Sequence, residues 1–258
     1  HHHVDHTGLT AELAARSGAK VFTHPFNLPW LADYNATRAE YAPFYRRLFR
    51  ESGVPEQITE EIERASAAVA HWAQPFSSAQ SLQEGNPISF AGAVWEVYHT
   101  PGHAGGLICL WEPRTRILLA NDHMLKDLSS NAILEPPERP GAQRPRRLLD
   151  YMRELKRMSK LNPTLVLPGH GEPFHGVARL VEERLSFYHN RAQSLYEILK
   201  ARPLTLWQLT RALFPELSVG IDFFLGLSEV QGHLDLLEEE GRVCARSVDE
   251  LLLWECAE

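Results

Sequence analysis

The sequence predicts a mixed α/β fold followed by a helical tail, and three observations carry that prediction. Short β-type runs alternate with amphipathic helices from the first residues to about 176. Histidines and aspartates recur just after those runs or on Gly/Pro turns, where layered α/β folds place their chemistry. From about Val177 the pattern turns helical and closes on two short strands, so the chain divides into 1–176 and 177–258. A length of 258 residues suffices for a large domain plus a small one, and 44% hydrophobic with 23% charged residues is an ordinary globular balance.

His1-His2-His3-Val4-Asp5-His6 opens the chain. Alternate residues of an extended segment point the same way, so His1 and His3 converge. Asp5 and His6, where the chain turns into a helix, face a second position beside them. Three leading histidines match a tag remnant, yet a tag does not bring Asp5-His6-Thr7-Gly8 behind it. Residues 9–17 have helical apolar spacing and stop at Gly18; 20–23 form a strand ending at His24-Pro25.

Residues 26–80 read as a helical insertion, with helices over 36–50 and 56–73. Its aromatics, among them Phe26, Trp30, Tyr34 and Trp72, serve either as packing or as the lining of a lid over the metal-type residues. Strands follow at 88–90, 94–98, 107–111 and 117–120. The second runs into His99-Thr100-Pro101-Gly102-His103, and the last delivers Asn121-Asp122-His123. A Pro-rich loop over 124–145 is long enough to carry function. A helix over 146–160 leads to a strand at 164–167 that ends in Pro168-Gly169-His170-Gly171. Helices at 177–201, 206–213 and 223–240, then strands at 242–246 and 251–254, follow the order of a winged helix.

Four separated segments thus end in metal-type ligands: His1/His3/Asp5/His6, His103, Asp122 and His170. Imidazole nitrogen with carboxylate oxygen suits borderline divalent ions. Seven ligands are too many for one tetrahedral ion and fit two ions that share a carboxylate, a pair suited to hydrolysis at a carbonyl or phosphoryl centre.

On HHHVDH (1–6), HTPGH (99–103), the Asp122 strand end and PGHG (168–171), the sequence resembles a metallo-β-lactamase-fold hydrolase of the glyoxalase II-like kind. The tail, with HLDLLEEEGRV (233–243), is similar to the winged-helix-like C-terminal domain of the branch that includes lactamase-beta-like hydrolases and fungal polyketide thioesterases. The resemblance implies an αββα sandwich, with His1, His3 and His103 on a first metal, Asp5, His6 and His170 on a second, and Asp122 bridging. It implies two divalent cations, zinc first with iron or manganese as alternatives, and catalytic roles for Asp5 and Asp122 in hydroxide attack on a thioester, ester or lactone. Asn121 stands where the family commonly has Gly. The family also carries a β-hairpin-rich segment before the motif, so the chain reads as N-terminally truncated.

The remaining histidines read as structural: His2 alternates away from the ligand face, His99 is a turn hydrogen-bonder, and His123 divides between pocket and packing. Cys109, Cys244 and Cys256 lack metal or disulfide spacing and point to a reducing, cytoplasmic setting. No apolar run reaches the ~20 residues of a membrane helix. A net charge of −7, and six basic against twelve acidic residues from Ser186 onward (−6), argue against nucleic acid as a partner. The expected partner is a small acyl substrate, with the tail packing or forming a homodimer. Alternatives are a phosphodiesterase or endoribonuclease on the same fold and a catalytically silent metal-binding module.

Overall fold

The computed structural model describes residues 1–139 and 141–257. Pro140, within the expected 124–145 loop, and Glu258, at the end of the expected second domain, lie outside the described residues. The first elements are α1 (Val4–Thr7), α2 (Thr10–Ser17), β1 (Phe22–Thr23), α3 (Leu28–Ala32), α4 (Tyr34–Glu51) and α5 (Glu56–Ala70). Next come β2 (Gln80–Ser81), β3 (Ile88–Phe90), β4 (Ala93–His99), β5 (Ile108–Glu112), β6 (Ile117–Asn121), α6 (Arg147–Ser159) and β7 (Leu165–Pro168). The tail holds α7 (Val177–Leu199), β8 (Leu204–Thr205), α8 (Leu206–Leu213), α9 (Ile221–Glu239), β9 (Val243–Val248) and β10 (Leu251–Cys256). The fold is mixed α/β.

Two compact units emerge, each built from separated stretches of chain. The first holds His1–Thr37, Trp72–Ser130 and Asp150–Leu185; the second holds Arg38–His71, Asn131–Leu149 and Ser186–Glu258.

In the first unit the sheet order is β3-β4-β5-β6-β7, antiparallel throughout except for the parallel pair β6 and β7. Alternate side chains are buried: Trp95 and Val97 on β4, Cys109 and Trp111 on β5, Leu118 and Ala120 on β6, and Val166 on β7. That is the period-two burial expected of a sheet with a covered face. The topology also fixes where chemistry can gather. Strands β4, β6 and β7 run in one direction, so their C-terminal ends, and the turns carrying His103, Asp122 and His170, lie along one edge of the sheet. A separate ribbon pairs β1 with β2 in parallel, Phe22 against Gln80.

The second unit groups residues 38–71 and 131–149 with the tail, a different partition from a cut at 176/177. Hydrogen bonds show why. Asn131 Nδ2 donates to Leu225 O (2.8 Å), Leu134 N to Ser228 Oγ (3.2 Å), and Trp207 N to Ser52 O (3.2 Å). Arg144 pairs with buried Asp235 at 2.6 Å. Helix α9 is buried along most of its length, from Phe223 to Leu237, as an all-round apolar helix should be. The short β8 joins β10 and β9 in a three-stranded sheet. Thr205 and Gln208 cap α8 reciprocally, satisfying two orphan donors at its start.

Candidate metal centre

All seven expected ligands fall in the first unit, and the structure brings them together. His1 to His3 precede α1 outside any helix, and His3 is extended, with φ −61° and ψ 143°, at the start of α1. The short helix then turns Asp5 and His6 toward the same edge as the strand ends. His1 Nε2 and His103 Nε2 each lie 3.0 Å from His3 Nδ1. Asp5 Oδ2 lies 3.2 Å from His170 Nε2 and 3.5 Å from His6 Nε2. Between these two sets stands Asp122. Its Oδ2 is 3.2 Å from His6, 3.5 Å from His103, 3.5 Å from His170 and 3.8 Å from His1, each measured to Nε2.

The backbone at Asp122 explains how one carboxylate reaches four imidazoles. The β6–β7 register shifts between Leu119 and Asn121, a bulge that re-aims the residues at the strand end. Asn121 has φ 51°, in the left-handed region that Asn tolerates better than most residues with a Cβ. Its Oδ1 accepts from the Asp122 N–H at 3.0 Å, and its carbonyl accepts from Gly169 N–H at 2.9 Å. A Cβ on residue 169 would fall well inside contact with Asp122 Oδ1, so the close approach of the two turns requires glycine there.

Protonation favours ligation. Burial, then the charges of His103 and other neighbours, holds His3 well below the usual imidazole value, so its ring is neutral. Burial works to raise the Asp122 carboxyl, but the hydrogen bond from His6 and the charges of His6, His103 and His170 outweigh it and keep the group ionised.

The donor set fits divalent metal. A neutral imidazole has one N–H, so hydrogen bonds alone cannot satisfy nitrogen lone pairs that converge from several rings. Asp122 Oδ1 is buried without a hydrogen-bond partner. Ligand atoms ~2.0–2.1 Å from a tetrahedral ion lie roughly 3.3 Å from one another, which sits within the observed 3.0–3.8 Å. Among the described residues, three groups satisfy a ligand-cluster geometry: His1/His3/His103, His1/His6/Asp122 and Asp5/His6/His170.

The other histidines sit outside this cluster of ligand atoms. His2 is buried and stacks on Trp30 (4.5 Å, 19°). His99 bonds Gly105 O at 2.7 Å. His123 is buried edge-on to Tyr151, and burial pushes it down to about 3. Sequence reasoning missed Asn27, Glu84 and Arg157, which hold the His103 turn. Their partners lie as far as 79 residues away, and no local spacing signals them.

Residues 1–170 match the family model described as the metallo-beta-lactamase superfamily. The chain is 36% identical over 240 residues to "Probable metallo-hydrolase YqjP" of Bacillus subtilis (strain 168), covering 93% of this chain and 73% of that protein. Among solved structures it is similar to a metallo-beta-lactamase family protein from Thermus thermophilus, with a TM-score of 0.80 and 28% identity, over 99% of this chain and 77% of that one. A beta-lactamase domain protein from Burkholderia ambifaria shares the fold, with a TM-score of 0.82 and 21% identity over 100% of this chain and 73% of that one.

Proposed function

The chain belongs to the metallo-beta-lactamase superfamily and is a metallo-hydrolase; from that premise we propose that it works with two divalent ions on a small acyl substrate, a thioester, ester or lactone. The observation that carries the proposal is Asp122 Oδ2, within 3.2–3.8 Å of imidazole nitrogens from both ligand sets. His1, His3 and His103 would hold one ion, Asp5, His6 and His170 the other, and Asp122 would be shared. Zinc suits this nitrogen-rich set, and iron or manganese would be the substitutes. When bound, such ions lower the pKa of water and neutralise negative charge that develops on the substrate.

The chain's own residues supply the rest. The Asp5 side chain is 58% exposed, so one face of its carboxylate is open to accept a hydrogen bond from an attacking water and orient it. The buried Asp122, held ionised, balances cationic charge without leaving the site. Neutral His3 offers a lone pair at neutral pH.

The glyoxalase II-like and winged-helix readings belong to the same proposal. The order α7, β8, α8, α9, β9, β10 with its small antiparallel sheet supports a winged-helix-like tail. Burial of α9 from Phe223 to Leu237, and the pairing of Arg144 and Arg146 with Asp235, Glu238 and Glu239, support packing rather than entry into a nucleic-acid groove. A tail that packs or dimerises, a small-molecule partner and a cytoplasmic setting follow in this reading. No described helix is long and apolar enough to cross a membrane.

Zinc-loaded protein assayed against a thioester, an aryl ester, a lactone and bis-p-nitrophenyl phosphate tests the proposal. It expects turnover of one or more acyl compounds above the phosphodiester. Preference for the phosphodiester would overturn the substrate class, and cleavage of none would favour a silent metal-binding module.

A further inference from the structure

The turn that carries His103 is rich in glycine: Gly102, Gly105 and Gly106 lie within its reach. Glycine loses more conformational freedom on ordering than any other residue, so such a turn holds one shape only when other groups tie it down. His99, the last residue of β4, does much of that tying. Its backbone N–H donates to Glu84 Oε2 (2.9 Å), and its carbonyl accepts from Arg157 Nη2 (2.6 Å). Its ring meets Gly105 O at 2.7 Å. A carbonyl only accepts, so the His99 Nε2 carries the proton and the tautomer is fixed.

Two further supports hold His99 itself. Its ring stacks on His24 (4.0 Å, 9°), whose Nδ1 accepts from Phe26 N–H (3.3 Å). Burial, then the neighbouring His99, pushes His24 down to about 4, so the stack carries no charge on that ring at neutral pH. Arg157 also forks onto Glu84 at 2.7 and 3.1 Å, which makes the pair a clamp on both sides of the His99 backbone. The next carbonyl along the turn, Gly106 O, accepts from buried Asn27 Nδ2 (2.8 Å). Thus the two carbonyls that follow His103 by two and three residues are each held by a side chain from outside the turn.

We propose that His99 is a positioning residue for the His103 ligand: clamped by Glu84 and Arg157, its ring fixes Gly105 and thereby sets His103 Nε2 against His3 Nδ1. The inference rests on the reading of His103 as a metal ligand. A merely structural His99 would cost fold stability alone. A positioning His99 costs ion affinity at the His1/His3/His103 set, because ligands must be held within ~0.5 Å of productive geometry.

The test compares His99→Phe, which keeps the ring stack and removes the N–H, with His99→Gln, which keeps a donor. Both are made in the His170→Ala background, so that the remaining ion reports the first ligand set. Zinc affinity is measured by competition with a chromophoric chelator, the cobalt absorption spectrum reports ligand geometry, and melts of chelator-treated protein report the fold. The expected result is a zinc affinity lower by about 10–100-fold in His99→Phe, with a perturbed cobalt spectrum and substantial rescue by His99→Gln. Glu84→Gln, which loosens the clamp from an exposed position, is expected to shift affinity in the same direction by a smaller factor, and it decides the matter if His99→Phe does not fold. Unchanged zinc affinity in the folded variants, or a loss that His99→Gln does not rescue, would overturn the positioning role while leaving the ligand reading intact. A parent protein that binds no zinc would overturn both.

Discussion

The two candidate ligand sets meet at Asp122 and differ in what surrounds them. The His1 side chain is fully buried and that of His103 is 12% exposed, whereas His170 is 43% and Asp5 58% exposed. The first set is also imidazole throughout, held by the segment that leads into α1 and by a turn tied through His99 and Asn27. The second mixes a carboxylate with two imidazoles and draws His170 from a loop in which residues 169–173 are all exposed. If the two sets hold ions as proposed, the less exposed first trio is expected to keep its ion, and the more exposed, acidic second trio to exchange its ion with solvent and to admit substrate.

Removing the carboxylate that the halves share should have the largest effect. Asp122→Ala should lower kcat/KM on the order of 10³-fold and reduce ion content at both sets, read by steady-state kinetics and metal analysis. Next, the halves should separate under single-ligand loss. His170→Ala should retain one chelator-resistant ion per chain. His103→Ala should lose that resistant ion and keep only one that a chelator removes quickly. Equal chelator sensitivity in the two variants would erase the distinction.

Acid sets the window in which that experiment is clean. Burial first, then neighbouring charge, pushes His24 and His233 down to about 4, below the ordinary imidazole value. Stability from these neutral rings is present in full above about pH 6.5. It is lost as pH falls toward 4, because the unfolded chain takes up protons that the folded chain refuses. For the deeply buried His233 the loss is about 3 kcal/mol across the window. Melts of chelator-treated protein should therefore fall from pH 6.5 to 4, and His233→Gln should flatten the decline. Ion release from the two sets is best compared above pH 6.5. The smallest effect is expected at Asn121. Asn121→Gly should change stability by no more than about 0.5 kcal/mol, since glycine accepts φ 51° freely. Asn121→Val should cost about 1–3 kcal/mol and distort the shared carboxylate, visible in both melts and ion content.

The convergence of the seven candidate ligands was legible in the sequence because they cluster in short motifs at strand ends. His1 to His6 announce themselves by density, and His103 and His170 by Gly/Pro turns. Helix periodicity placed α2, α8 and α9 to within a residue or two. A strand at 20–23 was readable and contains β1, but the two-residue β8 and β2 escaped, because Leu204-Thr205 and Gln80-Ser81 are too short to show alternation. The grouping of 38–71 and 131–149 with the tail was hidden for another reason. It depends on contacts such as Arg144 to Asp235, between residues 91 positions apart, which leave no local pattern. The same holds for the support behind His103. A histidine spaced four residues from a ligand was readable as a turn bonder, but the Glu84–Arg157 clamp on it was not, since each partner sits on a different element.

The proposed centre has two ion positions joined by one carboxylate. Inductively coupled plasma analysis of purified, zinc-equilibrated protein alongside His170→Ala tests this most directly. Two ions per chain in the parent and one in the variant are predicted. One ion or fewer in the parent, or an unchanged count in His170→Ala, would contradict it.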